Sequence, residues 1–391
     1  MSVNFDHVPD RTGTNSLKFD FAAERGRPDG LLSLWVADMD FPAPPEVLAA
    51  VEHCVRHGIF GYTEPKGDYY AALSDWFGAR FGYPIEPEWV VKTPGVVVAL
   101  ALAVKAYTLP GDAVLVQRPV YYCLPEVIAD NERVVVSSAL VERGGRYEMD
   151  FADMEKQIAL HNIKLFLLCS PHNPVGRVWT RTELLRVAEI CEKHDVIVVS
   201  DEIHADFAFA HPHTLFSTLS PATAMRTVLC TSAAKSFNIA GLQCSNIVIE
   251  NPDLRAKFKH QVDAMGYSQL NTLGLAATQA AYAHGAPWLD AVRTYIVENI
   301  TFLREFLARE LPQVRLVEPE GTYLAWLDFR ALGFADSRSL NEFIVQKARL
   351  WIDAGTLFGP EGLGFQRINV ACPRAYLTQA LERLREAVNA R

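Results

Sequence analysis

TVLCTSAAKSFNIAGL, residues Thr227 to Leu242, joins a short apolar run to a patch of small residues around a single lysine and closes on glycine. The run has the composition of a buried strand, and the small residues let the chain turn at its end, so that one amine is presented there. We read Lys235 as the holder of an aldehyde cofactor, bound as a Schiff base. Most lysines are solvated surface charges, so this reading depends on what the rest of the chain supplies beside it.

Working outward, the same texture repeats. AVLVQRP (Ala113–Pro119), RVVVSSA (Arg133–Ala139), KLFLLCS (Lys164–Ser170), DVIVVSDEIH (Asp195–His204) and SNIVIE (Ser245–Glu250) are Val/Ile/Leu-rich runs separated by turns and helix-period stretches. One such helix opens on a capping-box pair, Thr180 and Glu183, and runs to about His194. The runs lack polar alternation, which marks strands covered on both faces. The fold class expected is therefore α/β, a mostly parallel sheet with helices on both faces. Ligands of such sheets sit at the carboxyl ends of the strands, and those ends supply Asn173, Asp201, His204 and Lys235.

The flanks differ. Residues up to about Asp29 are polar and punctuated by Gly and Pro, as in an extended arm outside the core. LLSLWVADMDF (Leu31–Phe41) reads as a strand, its Asp38 and Asp40 as end-of-strand turn chemistry rather than a metal site. Pro44-Pro45 opens a helix to about His57. GIFGYTEPKGDY (Gly58–Tyr69) is a glycine-rich loop with aromatics, followed by a helix to about Phe81. WVVKT, the turn Pro94-Gly95 and the helical VVVALALAVKAY come next, a place where free backbone N–H groups can hold a phosphate. Beyond Ala286-Pro287 a long helix leads into irregularly ordered strands and helices, a second α+β unit. The expected organisation is an N-terminal arm and segment over 1–45 packing with the small domain, a large cofactor-binding domain over 46–286, and a small C-terminal domain over 287–391.

Composition narrows the function. A chain of 391 residues with formal charge -9 and no Lys/Arg cluster argues against a nucleic-acid or anionic-membrane partner, leaving small-molecule chemistry. Seven cysteines are scattered singly without CxxC, no apolar run reaches the length of a membrane span, and no leader pattern precedes the first strand. A cytoplasmic location is expected.

Pyridoxal phosphate asks for four things besides the lysine. Its pyridine nitrogen must stay protonated so that the ring can accept electrons, and Asp201 is placed to do this. The ring oxygen needs a donor, the Asn173 amide; the ring face needs an aromatic plate, Tyr121 in RPVYYCLPE. The phosphate needs N–H groups and hydroxyls, available from Gly95, Val96, Val97 and Ser232. An amino-acid substrate adds an α-carboxylate, suited to the planar guanidinium of Arg367 in GFQRINVACPR. Each residue has an ordinary reading as a cap, turn or packing group; together at successive strand ends they point to one site.

These residues carry a resemblance. SPHNPVGRVWT (Ser170–Thr180), SDEIHADF (Ser200–Phe207), SAAKSFNIAGL (Ser232–Leu242) and RINVACPR (Arg367–Arg374), with WVADMDF and GYTEP upstream, resemble fold-type I pyridoxal-phosphate enzymes, and within them the MalY/PatB-type cystathionine β-lyases. The resemblance implies a carbon–sulfur β-lyase in which Lys235 is bonded to the cofactor, Asp201 pairs with the pyridine nitrogen, Asn173 meets the ring oxygen, Tyr121 stacks, His204 belongs to the cofactor-binding set, and Arg367 binds the substrate carboxylate. It implies a homodimer in which Tyr62 reaches the phosphate of the other subunit. Gln243 stands where transaminating relatives carry an arginine, and His204 where they carry tyrosine, both as in the lyase branch; Ala234 departs from it, since serine is common there. An aminotransferase on the same scaffold is the first alternative, and a regulatory, protein-binding role with a structural cofactor the second.

Overall fold

A computed structural model describes residues 4–391; residues 1–3 of the N-terminal arm lie outside the described residues. The seven strands of the main sheet are β1 (Val90–Thr93), β2 (Ala113–Val116), β3 (Val134–Ser137), β4 (Leu165–Cys169), β5 (Ile197–Asp201), β6 (Thr227–Thr231) and β7 (Ser245–Val248), in the order β1-β7-β6-β5-β4-β2-β3. All neighbours pair in parallel except β7, which runs antiparallel to both β1 and β6. Every residue of β4 and β6 is buried, as expected of strands covered on both faces. The α/β expectation holds.

Register aligns the functional ends. Cys169 at the end of β4 lies opposite Asp201 at the end of β5, and Asp201 lies opposite Cys230 one residue before the end of β6. The chain therefore leaves three adjacent strands at one level, into the segments that carry Asn173, His204 and Lys235. Upstream, α1 (Pro45–His57) and α2 (Gly67–Phe81) bracket the glycine-rich loop, and α3 (Val96–Tyr107) starts directly after Gly95. Thr180 and Glu183 form the reciprocal capping box that opens the helix Arg181–Lys193. The 25-residue helix Ala286–Glu310 leads to a second, antiparallel sheet of β8 (Arg315–Val317), β9 (Leu324–Asp328), β10 (Asp353–Ala354) and β11 (Phe365–Asn369), ordered β8-β9-β11-β10.

Three expectations need correction. The N-terminal arm does enter the core: Phe5 is buried against Phe41 and Trp288, and Lys18 is completely buried, with its amine 2.7 Å from Asp40. The run Leu31–Phe41 is a strand only over Leu32–Ser33, which pairs in parallel with Leu350–Trp351. Past Leu34, whose own groups still meet backbone partners, the carbonyls are taken by side chains: Trp35 by Arg367, Val36 and Asp38 by Asn369, Met39 and Phe41 by Asn238. Asp38 and Asp40 are held by Arg11 and Lys18, ion pairs rather than turn caps. Backbone groups satisfied this way need no sheet neighbour.

Candidate active site

A cavity of about 320 Å³ opens at the carboxyl ends of β4, β5 and β6 and is walled by the N-terminus of α3. Its lining contains Lys235, Asp201, Asn173, His204, Tyr121, Gly95, Val96, Val97 and Ser232. Nine of the residues expected from sequence thus meet in one space, because strand register and the β1–α3 turn deliver them to one level.

Burial sets the electrostatics. Asp201 is buried, and desolvation raises its carboxyl to about 6 despite the Ile203 N–H it accepts at 3.3 Å and the nearby Lys235 charge. The surface left to Lys235 faces the cavity. Desolvation lowers its amine to about 8, with Asp38 and Asp201 opposing the shift and Arg367 adding to it. The Lys235 amine donates to the Ala37 carbonyl at 2.7 Å. Burial, with the charges of Lys235 and Arg367, holds the His204 imidazole down at about 3, so it is neutral at working pH. Burial raises the Tyr121 phenol far out of the physiological range, so it stays protonated.

The phosphate-type donors are present in part. The first backbone bond of α3 runs from Ala99 N–H to Gly95 C=O at 3.1 Å, leaving the N–H groups of Val96, Val97 and Val98 without intrahelical acceptors. Among the described residues nothing lies within 4 Å of where a Cβ on Gly95 would stand, so the turn is open on that side. Ser232 behaves differently: its hydroxyl donates to Cys244 C=O at 2.7 Å and caps Ala234 N–H at 3.1 Å, so its one proton is already committed. Gln243 also lines the cavity.

Arg367 lies on β11 of the second sheet and reaches the site from the opposite side. Nη1 donates to Asn173 Oδ1 and Nη2 to Trp35 C=O, each at 2.9 Å; Nη2 also pairs with the buried Asp353, and the guanidinium lies 4.7 Å over the Phe358 ring. Among the described residues its Nε has no hydrogen-bond partner. Tyr62 is the one expected residue that this chain does not bring in: it is 97% exposed on the Gly58–Lys66 part of the loop, next to exposed Ile59 and Phe60. Sequence reading missed Asp353 and Tyr323, whose hydroxyl donates to Ala37 C=O at 3.0 Å. Both sit in runs whose visible signal was only that of a strand.

The site fits pyridoxal phosphate: a lone amine in a cavity, a buried carboxylate within its field, an aromatic and an amide beside them, and free N–H groups at the far wall. The chain belongs to the class I and II aminotransferase family, whose model matches residues 30–384. Within that family it is 42% identical to cystathionine beta-lyase PatB of Bacillus subtilis, over 99% of this chain and 100% of that protein. Cystalysin from Treponema denticola, solved with a pyridoxal 5'-phosphate cofactor, is similar at TM-score 0.96 and 37% identity, covering 100% of both chains. The pyridoxal-phosphate-bound C–S lyase from Staphylococcus hominis is similar at TM-score 0.92 and 34% identity, covering 99% of this chain and 98% of that one. The resemblance drawn from the motifs to the MalY/PatB-type enzymes therefore extends over the whole chain.

Proposed function

We propose that this chain is a pyridoxal-phosphate-dependent carbon–sulfur β-lyase that converts L-cystathionine, or a related L-cysteine S-conjugate, to a thiol, pyruvate and ammonia. The observation that carries the reading is the convergence of Lys235, Asp201, Asn173 and Tyr121 with the open N-terminus of α3 in one cavity. Full-length likeness to proteins named for this chemistry supports it. Lys235 would hold the cofactor covalently and Asp201 its pyridine nitrogen. Asn173 and His204 would lie beside the ring with Tyr121 on its face, and Gly95, Val96 and Val97 would face the phosphate. Ser232 would join them only by releasing the Cys244 carbonyl.

The bound cofactor supplies a sink for the electron pair left on Cα when its proton departs. The protein supplies the rest. Arg367 fixes the substrate carboxylate through the donor capacity that Asp353, Trp35 and Asn173 leave open, which orients the Cα–H bond. The Lys235 amine, with a pKa of about 8, is neutral in a useful fraction at physiological pH and takes the Cα proton. The electron pair then expels the thiolate from Cβ, and the Lys235 ammonium or the Tyr121 hydroxyl returns a proton to sulfur. The three-carbon enamine that remains is hydrolysed to pyruvate and ammonia. Neutral His204 adds no second cation to compete with Arg367 for the carboxylate.

The same reading makes the working unit a homodimer, with Tyr62 of a second copy completing the phosphate site. The exposed run Ile59, Phe60 and Tyr62 supports this, since such an apolar cluster is commonly covered by a partner. It also divides the chain into 1–45, 46–286 and 287–391, and places the enzyme in the cytoplasm. Incubating the cofactor-loaded protein with cystathionine and no keto acid tests the activity. Thiol and pyruvate are expected; turnover that appears only with an added keto acid, without thiol, would replace the lyase by an aminotransferase.

A further inference from the structure

Ala37 stands in the middle of the row of carbonyls between Trp35 and Phe41, and its oxygen accepts twice: from the Lys235 amine at 2.7 Å and from the Tyr323 hydroxyl at 3.0 Å. A carbonyl oxygen has two acceptor positions, so these donors fill it. Among the described residues, Ala37 is the one hydrogen-bond acceptor of the Lys235 amine. The oxygen cannot drift, because the carbonyls of Val36 and Asp38 on either side are both held by Asn369. Tyr323 is equally fixed: its ring is fully buried, edge-on to Phe207 at 5.0 Å and to His204 at 5.7 Å.

We propose that the Ala37 carbonyl is the docking point of the Lys235 amine whenever that amine is free, and that Tyr323 is a positioning residue which sets the direction and strength of the contact. The inference rests on Lys235 being the acting amine. Occupying one acceptor position, Tyr323 leaves a single direction from which the amine can approach. Donating a proton, it also draws electron density from the shared oxygen, which weakens the hold on an ammonium more than on a neutral amine. The effect adds to burial in keeping the amine available as a base. The charged and titratable groups acting on this pair are Asp38 and Arg367 on both residues, Asp201 and the Cys123 thiol on Lys235, and the neutral His204 ring against Tyr323.

The test uses cofactor-free protein, an amine-acylating reagent and mass spectrometry of the peptide that contains residue 235, from about pH 6 to pH 10. The wild-type rate should rise with a midpoint at about 8. Tyr323→Phe keeps the ring and removes the donor, and should move the midpoint up by about half a pH unit. In the loaded enzyme it should lower kcat about tenfold while KM stays within about twofold. Replacing Tyr323 by 3-fluorotyrosine, a stronger donor of nearly the same shape, should move the midpoint down. A Phe profile that superimposes on wild type, or two variants shifting in the same direction, would overturn the proposal, since packing alone would then account for Tyr323. The acylation profile is read without cofactor or substrate, so its failure is distinct from a failure of the lyase assay.

Discussion

Asp201→Asn should make the cofactor-free protein more stable while disabling it. The carboxyl moves from an ordinary 3.8 to about 6 in the folded chain, and burial is the main cause. At ~1.36 kcal/mol per pKa unit, the shift corresponds to about 3 kcal/mol. Its sign follows from proton binding. Below about pH 4 the group is protonated folded or unfolded and costs nothing. Between about pH 4 and 6 the unfolded chain has lost the proton and the folded chain has kept it, so stability falls as pH rises. Above about 6 the folded chain carries the buried anion and the full penalty. Asparagine is neutral throughout and keeps an oxygen for the Ile203 N–H. Burying its amide costs about 1 kcal/mol, leaving a net gain of about 2 kcal/mol at pH 8 that disappears by pH 4. Urea unfolding of both cofactor-free proteins at several pH values measures this directly. Equal stability at pH 8, or a difference that persists unchanged at pH 4, would refute the assignment of a strained, cavity-facing carboxylate. Pyridoxal phosphate should then stabilise wild type more than the variant, because only the carboxylate has a charge to offer the ring nitrogen.

Three further outcomes are expected. Arg367→Lys loses the planar fork that meets Asp353, Asn173 and Trp35, and should reduce kcat/KM for cystathionine about 100-fold, mostly through KM, in a thiol-release assay. Asp353→Asn leaves the Arg367 charge buried without its counter-ion and should cost about 3 kcal/mol in urea unfolding. Tyr62→Ala and Lys235→Ala should each be inactive alone, while mixing the two under exchange conditions should restore about a quarter of wild-type lyase activity, because half the pairs would then contain one intact shared site; no recovery would mean that Tyr62 does not serve a second subunit.

Much of the fold and of the cavity is legible in the sequence, for a physical reason. Buried parallel strands announce themselves by unbroken apolar runs, and a ligand site at their ends follows from topology, so Lys235, Asp201, Asn173, His204 and Tyr121 could be found from the residues that interrupt those runs. What was hidden depends on partners far along the chain. Leu31–Phe41 has the composition of a strand, yet beyond Leu34 it is held by side chains from Asn238, Arg367 and Asn369, which no local pattern shows. Tyr323 and Asp353 look like strand filler until Ala37 and Arg367 are placed beside them. Ser232 suits a phosphate donor by residue type, but its proton is spent on Cys244, twelve residues on.

The charged groups around the cavity also separate by how they are paired. Asp353 is closed on Arg367, Asp40 on Lys18, and Asp38 on Arg11, each by a hydrogen-bonded ion pair. Among the described residues, Asp201 and Lys235 enter no such pair; they act on one another only through the field across the cavity. Locked pairs hold their geometry, which is what an anchor for a carboxylate or for the N-terminal arm requires. Unlocked groups in the same low-dielectric surroundings bear the desolvation cost themselves, and the carboxyl accordingly rises to about 6 while the amine falls to about 8. Asp201 and Lys235, the two left out of the pairing network, are moved by burial toward neutral pH from opposite sides. On the proposed reading that division, rather than the presence of any one motif, separates the charges that would do the chemistry from those that hold the site in place.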